Sequence, residues 1–220
     1  EYLLGLIEKN DADIACCCMV RTEGNTAHYC IDDEMPNEQV LLGKEACKAL
    51  LGNLYMVLVT AWGKLYDRNI VEKYLFPVGR VHEDEATTCK YYYESKKTVV
   101  GNKCLYAYFQ NKNGIMQTRR YDFNSDAAWA LGHRAEFFAK NKERELEIGA
   151  WKRLFDFYIQ DSQKYNGRCD NLLKGFGKKK RLGIMTRVCL WLYNVSPKFY
   201  YFFLRVMRKL GKMGRRNKVS

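Results

Sequence analysis

The last fifty residues lack acid. From Asn171 to Ser220 there are fourteen Lys or Arg and no Asp or Glu, so nothing in that stretch offsets its charge. The tail also lacks any run of the about 20 uninterrupted apolar residues that a membrane-crossing helix needs. This excludes a span through either of its apolar pieces. The nine cysteines include no Cys-x-x-Cys and no Cys/His ligand spacing, which argues against a structural zinc site. No secretory leader is legible at the start, and no internal repeat runs through the chain. The first residue is Glu1 rather than methionine, followed at once by helix-like sequence. The expectation is therefore an excerpt or a processed chain, with part of its fold upstream.

What is present divides unevenly. Residues 1–170 carry 23 basic and 25 acidic groups, a net −2, while the whole chain carries +12. A near-neutral body with a cationic end suggests an anionic partner, membrane lipid or nucleic acid. Ser196-Pro197 divides the tail, as an N-cap followed by a first helical residue. After it Phe199, Phe202, Phe203, Val206 and Leu210 share one helical face, and Lys198, Arg205, Arg208, Lys209 and Lys212 another. Ile184 to Val195 is apolar, with Trp191 and Tyr193. The pattern is that of amphipathic helices lying in a headgroup region. It favours an anionic membrane surface bound through 171–220, on the cytoplasmic face of the plasma membrane, with no nucleic acid expected. Lys178-Lys179-Lys180-Arg181 by itself also suits a polyanion.

Along the body, Glu1 to Lys9 reads as a helix end and Asn10 as its stop. Asp13 to Val20 reads as a buried strand, with Glu23-Gly24-Asn25 a turn and Ala27 to Ile31 a possible hairpin arm. Its Cys16-Cys17-Cys18 point alternately to opposite faces and cannot all pair; reduced core thiols of a cytosolic protein are expected. Lys44 to Leu51 is a short helix and Met56 to Thr60 a short strand. Arg68 to Tyr74 and Ala86 to Lys97 are helices, the latter ending in a Lys-Lys pair. Thr98 to Phe109 is a strand, Asn111 to Gly114 a turn, and Asp126 to Asn141 and Glu143 to Lys164 are helices. Alternating helix and strand followed by helices gives an α/β fold, a mixed sheet flanked by helices with a C-terminal helical, amphipathic extension. The expected divisions are 1–125, 126–170 and 171–220.

The chemistry concentrates at His82-Glu83-Asp84-Glu85. These follow a loop, Phe76-Pro77-Val78-Gly79-Arg80-Val81, and open a helix. A helix N-terminus carries partial positive charge and unpaired N–H groups, which favour ionised carboxylates. A carboxylate held there can take a proton from a hydroxyl. The bland alternative is a solvated helix start. His82 could ligate a metal or serve as a structural donor. Trp62, Tyr106 and Tyr108 could stack on sugar faces, or the two tyrosines could be core. Gln117, Arg119 and Arg120 could clamp a phosphate, or simply be solvated. His28 and His133 carry no signal.

Four blocks in order, Trp62-Gly63-Lys64-Leu65-Tyr66, Phe76-Pro77-Val78-Gly79, His82-Glu83-Asp84-Glu85 and Leu105-Tyr106-Ala107-Tyr108, resemble the second half of a family 2 glycosyltransferase. The nearest branch is the one that builds bacterial surface polysaccharides. The resemblance covers about residues 1 to 125 and implies part of an A-type glycosyltransferase fold. It implies an inverting transfer from a nucleotide-sugar donor to a lipid-linked saccharide acceptor. Asp84 matches the general base. His82 and Glu83 match its neighbours, and Trp62 and Lys64 lie in the block that borders the acceptor cleft. The complete enzyme would hold a divalent metal, Mg or Mn, through a DxD motif that this chain does not supply, so the fragment alone is expected to be inactive. Asp11-Ala12-Asp13 has the letters of that motif but reads as a turn cap, and Asp32-Asp33 is a loop pair. Two departures stand out: Gly63 where the family often has Asn, and Gly114 where it often has Ser. Two other readings survive: a non-catalytic membrane- or polyanion-binding module on a degraded scaffold, and an RNA-binding protein.

Overall fold

The computed structural model describes residues 1–23, 26–30, 37–111, 113–114, 120–164, 169–177 and 181–216. They form two compact units, Glu1–Ala150 and Trp151–Ser220. The first is an α/β unit and the second is helical.

The centre of the first unit is β1, Ile14–Glu23, which pairs in parallel with β5, Lys97–Phe109. Ile14 lies opposite Thr98, and Thr22 opposite Phe109. The register shifts around Cys18. Antiparallel arms complete a mixed sheet. β2, Thr26–Cys30, pairs with the far end of β1, and β4, Lys64–Tyr66, pairs with its start. β3, Gln39–Leu42, lines the other edge of β5. Ile14, Ala15 and Cys16 are all fully buried. An unbroken apolar run is what a strand covered on both faces requires.

Helix α1, Tyr2–Asn10, covers one face. Leu6 packs with Ala12, Ala15 and Val99, edged by Tyr2, Leu3 and Ile7. Gly101 on β5 makes that approach possible, because a Cβ there would meet Tyr2 Oη at 2.6 Å and Leu6 Cδ1 at 2.7 Å. The helix ends where Asp11 turns left-handed, at φ 50°. Against the sheet also lie α2, Glu45–Leu50, and α3, Tyr55–Val59, with α5, Glu83–Glu94, behind them. The short α4, Arg68–Val71, is capped by Asp67, whose carboxylate accepts the Asn69 N–H at 2.7 Å. α6, Arg120–Lys140, packs on α5.

Two expectations need correcting. Met56 to Thr60 is not a strand but α3. Five apolar residues do not distinguish a buried strand from a buried turn of helix, and here the Leu58 N–H closes on Leu54 O at 2.9 Å. The helix after the acidic cluster starts at Glu83 and stops at Glu94, short of the Lys-Lys pair. The cause is Asp13, whose Oδ2 accepts the N–H groups of Lys96 and Lys97 at 2.6 and 3.2 Å and draws them into the start of β5. Strands β3 and β4 are short edges with no marked periodicity, and no reading of the sequence assigned them. The Gly24-Asn25 turn lies outside the described residues.

The second unit holds the later turns of α7, Arg144–Lys164, then α8, Asp170–Gly175, α9, Ile184–Val195, and α10, Pro197–Arg216. Phe176 sits among Trp151, Phe155 and Tyr158. Ser196 caps α10 as expected, its Oγ accepting the Phe199 N–H at 3.4 Å. No helix among the described residues is long and apolar enough to cross a membrane.

Candidate functional site

A cleft of about 590 Å³ opens in the first unit. Tyr55, Met56 and Val59 of α3 form one side, the first turn of α5 a second, and Met19, Arg21 and Tyr108 from the ends of β1 and β5 a third. His82, Glu83, Asp84 and Trp62 all line it. The acidic cluster and the Trp62 block therefore meet, although they are separate in sequence.

The three acids at the start of α5 have different fates. Glu85 turns inward and is 5% exposed. Its carboxylate pairs with the fully buried guanidinium of Arg134 on α6 and accepts the Tyr55 hydroxyl. Arg134 also donates to the Glu85 carbonyl through Nε at 3.0 Å and Nη2 at 2.8 Å. Glu85 is thus committed to holding α5 on α6. Asp84 is only half-buried and enters no ion pair within 4 Å among the described residues. Its Oδ1 accepts the Glu85 N–H at 2.8 Å, and the residue lines the cleft. Burial pushes the Asp84 carboxyl above the usual carboxylate range, and the neighbouring Glu83 adds to this. The Glu85 N–H and the charges of Arg134 and Lys64 pull the other way and do not cancel it. Desolvation therefore outweighs the favourable helix end here.

Lys64 does not line the cleft. Its ammonium, on a half-buried side chain, donates to the Thr60 carbonyl, to Thr60 Oγ1 at 3.0 Å and to the Trp62 carbonyl at 3.2 Å. Burial holds its pKa below the ordinary lysine value. It thus shapes the 60–62 turn and acts on Asp84 through its charge. Gly63, next to it, has φ +69°. Asparagine and glycine are the residues that tolerate this left-handed region best, so the exchange at this position preserves the backbone. The Gly63 carbonyl accepts the Cys17 N–H at 2.9 Å, tying the turn to β1.

Trp62 lies flat on Tyr106 and Tyr108, with ring centroids 4.1 and 5.4 Å apart and planes within 12° and 16°. All three are half-buried. The result is an aromatic wall at the side of the cleft, suited to the apolar face of a ring-shaped ligand. Opposite, the 76–82 loop is pinned to α6. Asp126 binds Arg80 Nη1 at 2.7 Å and accepts the Val81 N–H at 3.1 Å. The Arg80 guanidinium lies 4.2 Å from the Trp129 ring centroid. His82 then takes a left-handed conformation, φ 62°, at the cap of α5, and burial lowers its pKa.

The remaining candidates are dispersed. Asp13 is occupied with the start of β5, while Asp11 caps α1 and meets Lys97 at 3.4 Å. Asp13 is thus spent on backbone N–H groups rather than held for a divalent ion. Among the described residues no three His, Cys, Asp or Glu side chains group into a metal site. Asp32, Asp33, Gln117 and Arg119 lie outside the described residues. Sequence reasoning overlooked Arg134, Tyr55 and Asp126. The first had a signal: it interrupts a buried helical face of Ala127, Ala130, Leu131, Ala135 and Phe138, where a charge demands a buried partner.

The chain is similar to a bacterial glycosyltransferase. Over 126 residues, 57% of this chain, it is 26% identical to glycosyltransferase GlyA of Streptococcus pneumoniae serotype 4 (strain ATCC BAA-334 / TIGR4). That stretch covers 18% of the relative, so the chain spans less than a fifth of the relative's length. No family model matches the chain.

Proposed function

We propose that this chain forms the acceptor side of an inverting glycosyltransferase, with Asp84 as the general base. A single observation carries the reading: Asp84 lies on the cleft beside an aromatic wall, outside any ion pair among the described residues, with burial raising its carboxyl pKa, whereas Glu85 is spent on Arg134. The order of the four sequence blocks and the similarity to GlyA support it.

A sugar hydroxyl is a weak nucleophile. Asp84 Oδ2 takes its proton as the oxygen attacks the anomeric carbon of a nucleotide-sugar. The new C–O bond forms as the bond to the diphosphate breaks, and the bonding electrons leave with the nucleoside diphosphate. Attack from the opposite side inverts the configuration at carbon. A carboxyl held above its ordinary pKa is a stronger base once ionised, which favours this role near neutral pH. Trp62 supports the acceptor ring, His82 and Glu83 flank the reacting hydroxyl, and Lys64 tempers the local charge. The donor, and any divalent ion on its diphosphate, are assigned to no residue of this chain.

The test is a transfer assay on the protein that carries this chain, read as nucleoside diphosphate release over a panel of nucleotide-sugars and saccharide acceptors. Asp84→Asn is expected to reduce transfer by about 10²–10⁴ with donor affinity unchanged. Retained turnover removes Asp84 from the role.

A further inference from the structure

Helix α9 has two apolar sides, and among the described residues only one is buried. Thr186, Cys189, Leu192 and Tyr193 are buried in the second unit. Ile184, Val188, Trp191 and Val195, spaced four, three and four residues apart, lie in one stripe elsewhere on the helix. They are 82, 41, 64 and 62% exposed. After the break at Ser196-Pro197, α10 repeats the arrangement. Tyr200 packs inward against Tyr193, while Phe199 and Phe202 are 55 and 62% exposed with their rings 6.5 Å apart. Val206 continues that stripe. Arg187, Lys198 and Arg205 stand exposed beside it, in a sequence region without a single acid.

We infer that this surface docks on an anionic lipid bilayer, with the aromatic and aliphatic stripe in the acyl boundary and the cations among the headgroups. The combination selects the partner. A second copy of the chain would bring like charges together around the stripe. A nucleic-acid backbone would satisfy the cations and leave the exposed aliphatic side chains in water. A bilayer interface takes both, and indole and phenyl rings sit well at that depth. The inference is independent of the glycosyltransferase reading and its test needs no sugar.

The full chain is sedimented with phosphatidylcholine vesicles containing or lacking phosphatidylserine. Binding to the anionic vesicles is expected to be at least about tenfold tighter and to weaken with salt. The double variant Trp191→Ser/Phe202→Ser, whose side chains are both exposed, is expected to lose at least about tenfold in partitioning with unchanged circular dichroism. Lys198→Glu/Arg205→Glu should abolish the preference for phosphatidylserine. Three results overturn the inference: no binding to anionic vesicles at low salt, full retention of binding in the Ser variant, or RNA binding that anionic vesicles fail to compete. Self-association that the Ser variant abolishes, without vesicle binding, assigns the stripe to a second copy instead.

Discussion

Glu83, Asp84 and Glu85 share a chemistry and a helix turn, yet their neighbours give them different work. Glu85 faces Arg134, whose charge has no access to water. Glu85→Ala leaves that guanidinium buried without its counter-ion, and the expected loss of stability is about 3–5 kcal/mol, read as a fall in the urea midpoint. Asp84→Asn should do the opposite. Burial raises the folded pKa of Asp84 above its unfolded value, so its contribution to stability is complete below the unfolded value and lost as pH rises through the folded one. The Asn variant does not titrate there, and its stability relative to the native chain should increase from acid to neutral pH. In the same range the acid limb of kcat/KM should lie above the ordinary carboxylate region and disappear in the variant. The acidic cluster itself was legible in the sequence, because acids after a Pro-Gly loop mark a helix start. Which acid is spent was not, since that is decided by Arg134 on another helix, forty-nine positions from Glu85.

At the level of elements, the loop before α5 depends on α6 for its position. Asp126→Ala removes the acceptor of the Val81 N–H and the partner of Arg80. Amide exchange from Val81 to Glu83 should accelerate, while that of the sheet stays unchanged. If a hydroxyl is positioned by this loop, KM for the acceptor should rise more than kcat falls. Such long-range ties explain which elements could be read in advance. β1, β5 and α7 carry their own periodicity and their limits fall within a few residues of the sequence reading, as does the capped start of α10. Short β3 and β4 exist because β5 and β1 offer edges to pair with. The stop of α5 is imposed by Asp13 from the other end of the unit, and nothing near Glu94 announces it. The aromatic wall was legible only in part. Tyr106 and Tyr108 share a strand face by alternation, but the stacking of Trp62 on them follows from the parallel pairing of β1 with β5 and the Gly63 turn.

For the molecule as a whole, the cysteines make a direct check on the core. Cys16, Cys17, Cys18, Cys47 and Cys89 are buried and unpaired by disulfide, and Cys104 is half-buried. Burial pushes the Cys16 and Cys18 thiols up to about 11 and raises Cys47 and Cys89 as well. Burial raises the Cys104 thiol too, but its partial exposure should let brief iodoacetamide treatment of the native chain at neutral pH label it ahead of those five, by peptide mass spectrometry. Reductant should leave the melting temperature unchanged. The sheet has a further consequence for how the chain comes into being. Its central strand finds its parallel neighbour only after Lys97–Phe109 has been made, and pairing over that separation is slow. Until then, on the ribosome, a ribbon of cysteine, valine and isoleucine waits without shelter, a natural client for holdase chaperones. Premature stops should follow the same divide: chains ending before β5 are expected to be degraded, whereas those ending well beyond it have the partner that β1 needs.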